Sequence, residues 1–157
     1  MLAQGVAADG PRTGRRALAV DLGERRVGLA ITDPEGRFAL PLSVLARRSD
    51  REVIGAIRDI AAAEQVALLV VGEPRGPGGT SGSAAERARR FGERLGRAAA
   101  LPCIFVDETL TTVEAEARRV ATSTTALRRR RDERIDALAA QVILQEAIER
   151  GLLRPQP

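Results

Sequence analysis

The sequence has no histidine, lysine, tryptophan or tyrosine, and only one cysteine, Cys103. Each absence removes a class of chemistry. Without histidine there is no Ser-His or Cys-His nucleophile, no imidazole acid–base catalysis and no histidine-bearing zinc site. Without lysine there is no Schiff base and no Walker-type lysine for a nucleotide phosphate. A single cysteine cannot close an internal disulfide or build a thiolate metal cage. Inside the apolar run CIFV it reads as a small core residue. Phe38, Phe91 and Phe105 are the only aromatics, too few for a platform that stacks single-stranded bases. Carboxylates, hydroxyls, arginine and bound metal are what remain for chemistry.

Long apolar runs are missing too. VALLVV is the longest clean one, far short of a bilayer span. The first residues, MLAQGVAADGPRTGRR, lack the apolar segment of a secretory signal. The expectation is a cytoplasmic protein with no membrane partner.

What is present suits one globular domain. The chain has 157 residues, 44% of them hydrophobic, enough to bury a core without disulfide staples. Arginine supplies all 25 basic residues against 21 acids, a net charge of +4. A guanidinium fork suits phosphate oxygens, and a positive balance is compatible with nucleic acid. A compositional bias of the genome explains the missing lysine more simply. The expected division is a flexible extension over 1–15, one domain over 16–150 and a tail over 151–157.

Hydrophobic patterning gives the order of elements. RRALAVDL and RVGLAIT read as two strands joined by a tight turn, and 37–45 as a third, with Pro41 marking it as an edge. Apolar residues at 53, 54, 57, 60 and 61 predict a helix over 50–65, capped by Ser49 or Asp50. VALLVVG is a buried strand, and a Gly/Pro-rich loop follows it. A helix over 84–100, the strand CIFVDE, a helix over 111–122, a basic loop over 123–131 and a last helix over 132–150 complete the chain. Three antiparallel strands and then alternating helices and strands make an α/β protein, a mixed sheet with helices on its faces. Ligands of such sheets gather at the carboxyl ends of the parallel strands.

Acids stand at those ends. Asp21 closes the first strand, and Asp107 and Glu108 close CIFVDE. In the last helix Asp136 shares a face with Ala140, Ile143 and Ala147. Each acid alone has a bland explanation as a turn, cap or first-turn residue. Together, in a chain without histidine, they suit Mg²⁺ or Mn²⁺, hard cations that prefer oxygen. Such ions can hydrolyse a phosphodiester with no imidazole. The run LRRRRDER lies just before Asp136, where it can grip phosphates or simply be a solvated charge run. The glycine-rich loop opens a helix whose N–H groups could hold a phosphate, or is a plain connector.

Four stretches, AVDLGERRVGLAITD, VVGEPRGPGGTSG, VDETLTTVEAEA and RIDALAAQVILQ, resemble the YqgF/RuvX family in order and spacing, over roughly 16–150. The resemblance implies an RNase H-like, RuvC-type mixed sheet. It implies a metal-dependent nuclease, a hydrolase whose ligands are Asp21, Glu108 and Asp136. Asp107 is a further candidate, and analogy with the resolvases prefers Glu108. Two substrates follow: RNA, in 5′-end maturation of pre-16S rRNA, which is preferred, or branched DNA, in Holliday junction resolution. Arg75, Arg128, Arg129, Arg130, Arg131 and Arg134 are the candidate nucleic-acid contacts, and the protein would be a monomer or a homodimer. Thr109 replaces an arginine of the family pattern, a contact that Arg75 or the arginine run could replace. Glu73 stands where an apolar residue is common. Two other classes compete: a non-catalytic nucleic-acid-binding factor for transcription or ribosome assembly, and an actin-like ATPase. The second normally needs two such domains around one nucleotide.

Overall fold

A computed structural model describes residues 16–74, 82–108 and 125–153, and in the last segment the side chains from 135 onward. Strands β1 (Arg16–Leu22), β2 (Arg26–Thr32) and β3 (Ala39–Ala46) come first. Helix α1 (Asp50–Ala63), strand β4 (Val66–Pro74), helix α2 (Ser83–Ala99), strand β5 (Cys103–Glu108) and helix α3 (Thr125–Glu149) follow. They build one five-stranded sheet in the order β3-β2-β1-β4-β5. The first three strands form the expected antiparallel meander; β4 runs parallel to β1, and β5 parallel to β4. β3 is an edge, and its Pro41 pairs with Ala30 beside a register shift at which β3 carries one extra residue, Leu42, where a missing N–H costs least.

Local chemistry fixes the joints. The Ser49 side chain caps α1 by accepting from the Glu52 N–H at 3.2 Å. Between β2 and β3 the Asp33 carboxylate accepts from the N–H groups of Arg37 and Phe38 at 2.7 and 2.8 Å. Burial would raise the Asp33 pKa, but those donors outweigh it and hold the carboxyl below its usual range. Beneath the β1–β2 turn, Arg47 donates to the Gly23 carbonyl at 2.7 Å and to Asp50 at 2.8 Å. The turn that follows Asp21 is thereby tied to the far end of β3.

Side chains alternate across the sheet and separate two cores. Leu18, Val20, Val27, Leu29, Ile31, Leu69 and Val71 face Val53, Ile57, Phe91 and Leu95 of α1 and α2. Ala17, Ala19, Ala30, Ala39, Val70 and Val106 face Ala140, Ile143, Leu144 and Ala147 of α3. Gln141 and Gln145 of α3 clamp the backbone of Ala39 on the edge strand.

One expectation is corrected. Residues 125–131 are not a loop but the start of α3, which takes in Arg128, Arg129, Arg130 and Arg131. Alanine, leucine and arginine are among the best helix formers, and no glycine or proline interrupts 125–149. Like-charge repulsion within a helix costs only a few tenths of a kcal/mol per pair, about 0.2–0.5, too little to melt it. The helix expected over 111–122, Thr109, and Arg75 in the glycine-rich loop lie outside the described residues.

A candidate carboxylate site at the strand ends

The pleat decides which acids can meet. Ala17 and Ala19 pack beneath α3, so Asp21, in the same alternation, belongs to that face. Ile104 and Val106 lie on that face too, and Glu108 continues their row. Cys103 and Phe105 pack on the opposite face, and Asp107 continues theirs. The adjacent acids Asp107 and Glu108 are therefore divided between the two sides of the sheet. From above, α3 presents Asp136 on the stripe that buries Ala140, Ile143 and Ala147.

Two glycines make room for this arrangement. Gly28 lies directly across from Asp21 in the β1–β2 pair. A Cβ there would fall inside the backbone carbonyl of Asp136, so α3 rests on β2 at this point. Gly72 is the β4 residue next after Val71, which pairs with Val20. A Cβ at Gly72 would come within 2.5 Å of Ile143 Cδ1 and 2.8 Å of the Glu108 carboxylate. Asp21 thus stands between two residues without side chains. The space over one holds the α3 backbone at Asp136, and the space over the other holds the Glu108 carboxylate.

The charge balance involves a residue that the sequence reading passed over. Arg26 Nε donates to Asp136 Oδ2 at 2.8 Å, with the arginine one-third exposed and the aspartate 17% exposed. Arg26 belongs to the same alternation as Gly28 and Ala30, so it rises on the α3 face beside Asp21. That signal was present in RRVGLA, where 26, 28 and 30 alternate with Val27 and Leu29. Among the described residues no three acids or thiols are gathered tightly enough to hold a metal ion. The three carboxylates share a face, and all offer the hard oxygen donors that a divalent cation takes. The donor chemistry fits such an ion; Asp136, however, is turned toward Arg26.

The opposite face carries a different set. Glu73 is 4% exposed, and Arg89 donates to it at 2.6 Å from α2. The same guanidinium lies over the Phe105 ring at 4.8 Å. A buried acid needs such a partner, and the pair explains how a charged residue is tolerated where the family pattern often has an apolar one. Asp107 is the register partner of Glu73, beside this pair and away from Asp21. Cys103 packs under Gly92, and burial together with nearby Glu93 pushes its thiol up to about 11. It stays protonated at neutral pH and is no nucleophile, in keeping with a core role.

The arginine run has a defined backbone position. Arg128, Arg129, Arg130, Arg131 and Arg134 occupy the turns of α3 that precede Asp136. At 1.5 Å per residue the first four lie about 8–12 Å along the axis from it.

Comparison with known proteins gives a consistent picture. The family described as RuvX: Holliday junction resolvase matches residues 15–150. A relative from Koribacter versatilis, named "Putative pre-16S rRNA nuclease", is 38% identical over 143 residues, covering 90% of this chain and 92% of its own length. One of the same name from Anaeromyxobacter dehalogenans is 41% identical over 137 residues, covering 86% and 97%. Among solved structures, Thermus thermophilus RuvC in complex with Holliday junction substrate aligns with a TM-score of 0.51 and 13% identity, covering 89% of this chain and 98% of that one. That likeness bears on the fold, and it bears out the RNase H-like, RuvC-type sheet expected above.

Proposed function

Because the chain belongs to the RuvX family, we propose that it is a nuclease whose metal-binding carboxylates are Asp21, Glu108 and Asp136. It hydrolyses nucleic-acid phosphodiesters with the help of divalent metal. The preferred substrate is RNA, and the step is maturation of the 5′ end of pre-16S rRNA, the substrate named for its relatives. That substrate belongs to the cytoplasm. Among the described residues no helix is long and apolar enough to cross a membrane.

The observation that carries this reading is Asp21 between Gly28 and Gly72, with Glu108 and Asp136 on the same face. Mg²⁺ or Mn²⁺, when bound, supplies an activated water and stabilises the leaving oxygen. The three carboxylates hold and orient; they come from two rigid strands and a helix packed directly on the sheet, as a precise site needs. Asp107, on the other face, is left out of the ligand set. Arg128, Arg129, Arg130, Arg131, Arg134 and Arg75 take the flanking phosphates. Contacts of that kind give affinity that falls with salt and carries little sequence preference.

The test is cleavage by purified protein with Mn²⁺ or Mg²⁺ and an EDTA control. A labelled precursor-rRNA fragment runs beside a synthetic four-way junction, with Asp21→Asn as the blank. The expected result is metal-dependent cleavage of the RNA, lost in Asp21→Asn while the fold persists. Paired, symmetric nicks in the junction would instead favour a resolvase, which must be a two-fold dimer to match its substrate. Salt-dependent binding without cleavage of either would favour the non-catalytic factor. Full activity in Asp21→Asn would remove the assignment.

A further inference from the structure

We infer that Arg26 is the internal counter-cation of the carboxylate site: it holds Asp136 when metal is absent and competes with the divalent ion for that carboxylate. The inference rests on the reading of Asp21, Glu108 and Asp136 as one site. Arg26 lies within AVDLGERRVGLAITD, the stretch that supplies Asp21, yet the resemblance gives it no role; here it touches no phosphate and is a positioning residue acting through Asp136.

Three observations support it. Arg26 Nε donates to Asp136 Oδ2 at 2.8 Å, and the aspartate end of the pair is largely buried, where a charged hydrogen bond is screened little by water. Arg26 and Gly28 share one face of β2, and Gly28 fixes the Asp136 backbone by direct contact. The backbone of α3 already rests against β2 there, so the exchange between arginine and metal is assigned to the two side chains. Finally, Arg26 places a positive charge on the face of the sheet that carries Asp21, Glu108 and Asp136. Like charges crowd badly where water is scarce, so a cation in this position also permits the acids to approach before any ion arrives.

The same arrangement accounts for a carboxylate set that shares a face without closing into a cage among the described residues. Asp136 is directed to its protein cation, and binding a metal ion requires that contact to be released. Lysine at 26 would keep the charge; glutamine would keep much of the size and remove it.

The experiment measures Mn²⁺ binding without nucleic acid, by calorimetry and by the electron paramagnetic resonance of the ion. It uses the full chain, Arg26→Gln, Arg26→Lys and Asp136→Asn. Arg26→Gln is expected to bind Mn²⁺ about tenfold more tightly, equal to about 1.4 kcal/mol, and to melt at a lower temperature without metal. Arg26→Lys should stay close to the unsubstituted protein in affinity, which a purely structural role for the guanidinium would not produce. A Mn²⁺ affinity that is unchanged or weaker in Arg26→Gln overturns the inference. Should Arg26→Gln not fold, the unsubstituted protein answers by NMR. The Arg26 Nε–H signal must shift along the Mg²⁺ titration with the midpoint of binding, and a signal that stays fixed at saturating Mg²⁺ overturns the inference. Asp136→Asn separates the two levels. If it loses Mn²⁺ while Arg26→Gln gains nothing, the site stands and Arg26 is not its counter-cation. If it binds Mn²⁺ like the unsubstituted protein, the site reading falls, and the inference with it.

Discussion

The two faces of the sheet are built from different materials. The face under α1 and α2 is made of leucine, isoleucine and valine, closed by Phe91. The face under α3 is made largely of alanine, with Gly28 and Gly72 at its polar end. Large side chains bury area and hold a helix off the sheet; small ones let a helix backbone touch it. The acids at the strand ends follow the same division. On the first face Glu73 is buried and answered by Arg89, a structural pair. On the second, Asp21, Glu108 and Asp136 share a face beside two glycines. What a carboxylate can do depends on the floor beside it more than on its neighbour in sequence, as Asp107 and Glu108 illustrate.

The largest effect should come from that adjacent pair. Glu108→Gln is expected to take cleavage below detection, because it removes an anionic oxygen from the α3 face. Asp107→Asn should stay within a few-fold of the unsubstituted protein. Both are read from initial rates on one RNA substrate, with melting curves to show that the fold persists. Equal loss in both variants would break the distinction between the faces.

A second contrast separates stability from activity. Phe91→Ala opens a cavity in the large-residue core and should cost about 3–5 kcal/mol in denaturant unfolding. The folded fraction should cleave at the normal rate, since the α3 face is untouched. Gly28→Ala should cost less, about 1–3 kcal/mol as overpacking. It should nevertheless lower the rate of the folded protein, because the new methyl displaces the backbone that carries Asp136. A Gly28→Ala variant of normal rate would show that α3 need not sit so close.

Much of this is legible in the sequence. β2 and β5 occupy the stretches expected, Ser49 caps α1, and the alternation of apolar residues locates both cores. These are local signals, set by periodicity and capping. The start of α3 was misread because a run of four arginines looks like a solvated loop, while helix propensity favours it. The carboxylates can be nominated from the sequence, and analogy prefers Glu108 to Asp107; strand parity places Glu108, and not Asp107, on the face of Asp21. Arg26 was passed over because its partner is 110 positions away, and ion pairs of that separation leave no trace in spacing. Glu73 drew notice as a departure from the family pattern, and its compensation by Arg89 required the packing of α2 on β4.

The smallest expected effect tests the structural face alone. A buried ion pair often contributes no more than a well-packed apolar pair of similar volume, because desolvation offsets the attraction. Glu73 and Arg89 are such a pair at the glutamate end, while the arginine is half exposed and lies on Phe105. Replacing both at once, Glu73→Leu with Arg89→Met, should change unfolding stability by no more than about 1 kcal/mol and leave cleavage intact. The matching double change on the other face, Arg26→Met with Asp136→Leu, should also fold but should not cleave. Denaturant midpoints and initial rates on the two double variants and the unsubstituted protein decide it. If the first double variant loses cleavage while keeping its stability, the acids of the α2 face take part in the reaction and the functional division of the sheet is wrong. If only the second does, two ion pairs of similar geometry have been separated by what lies next to them: an aromatic ring and a packed helix on one side, and two bare glycines on the other.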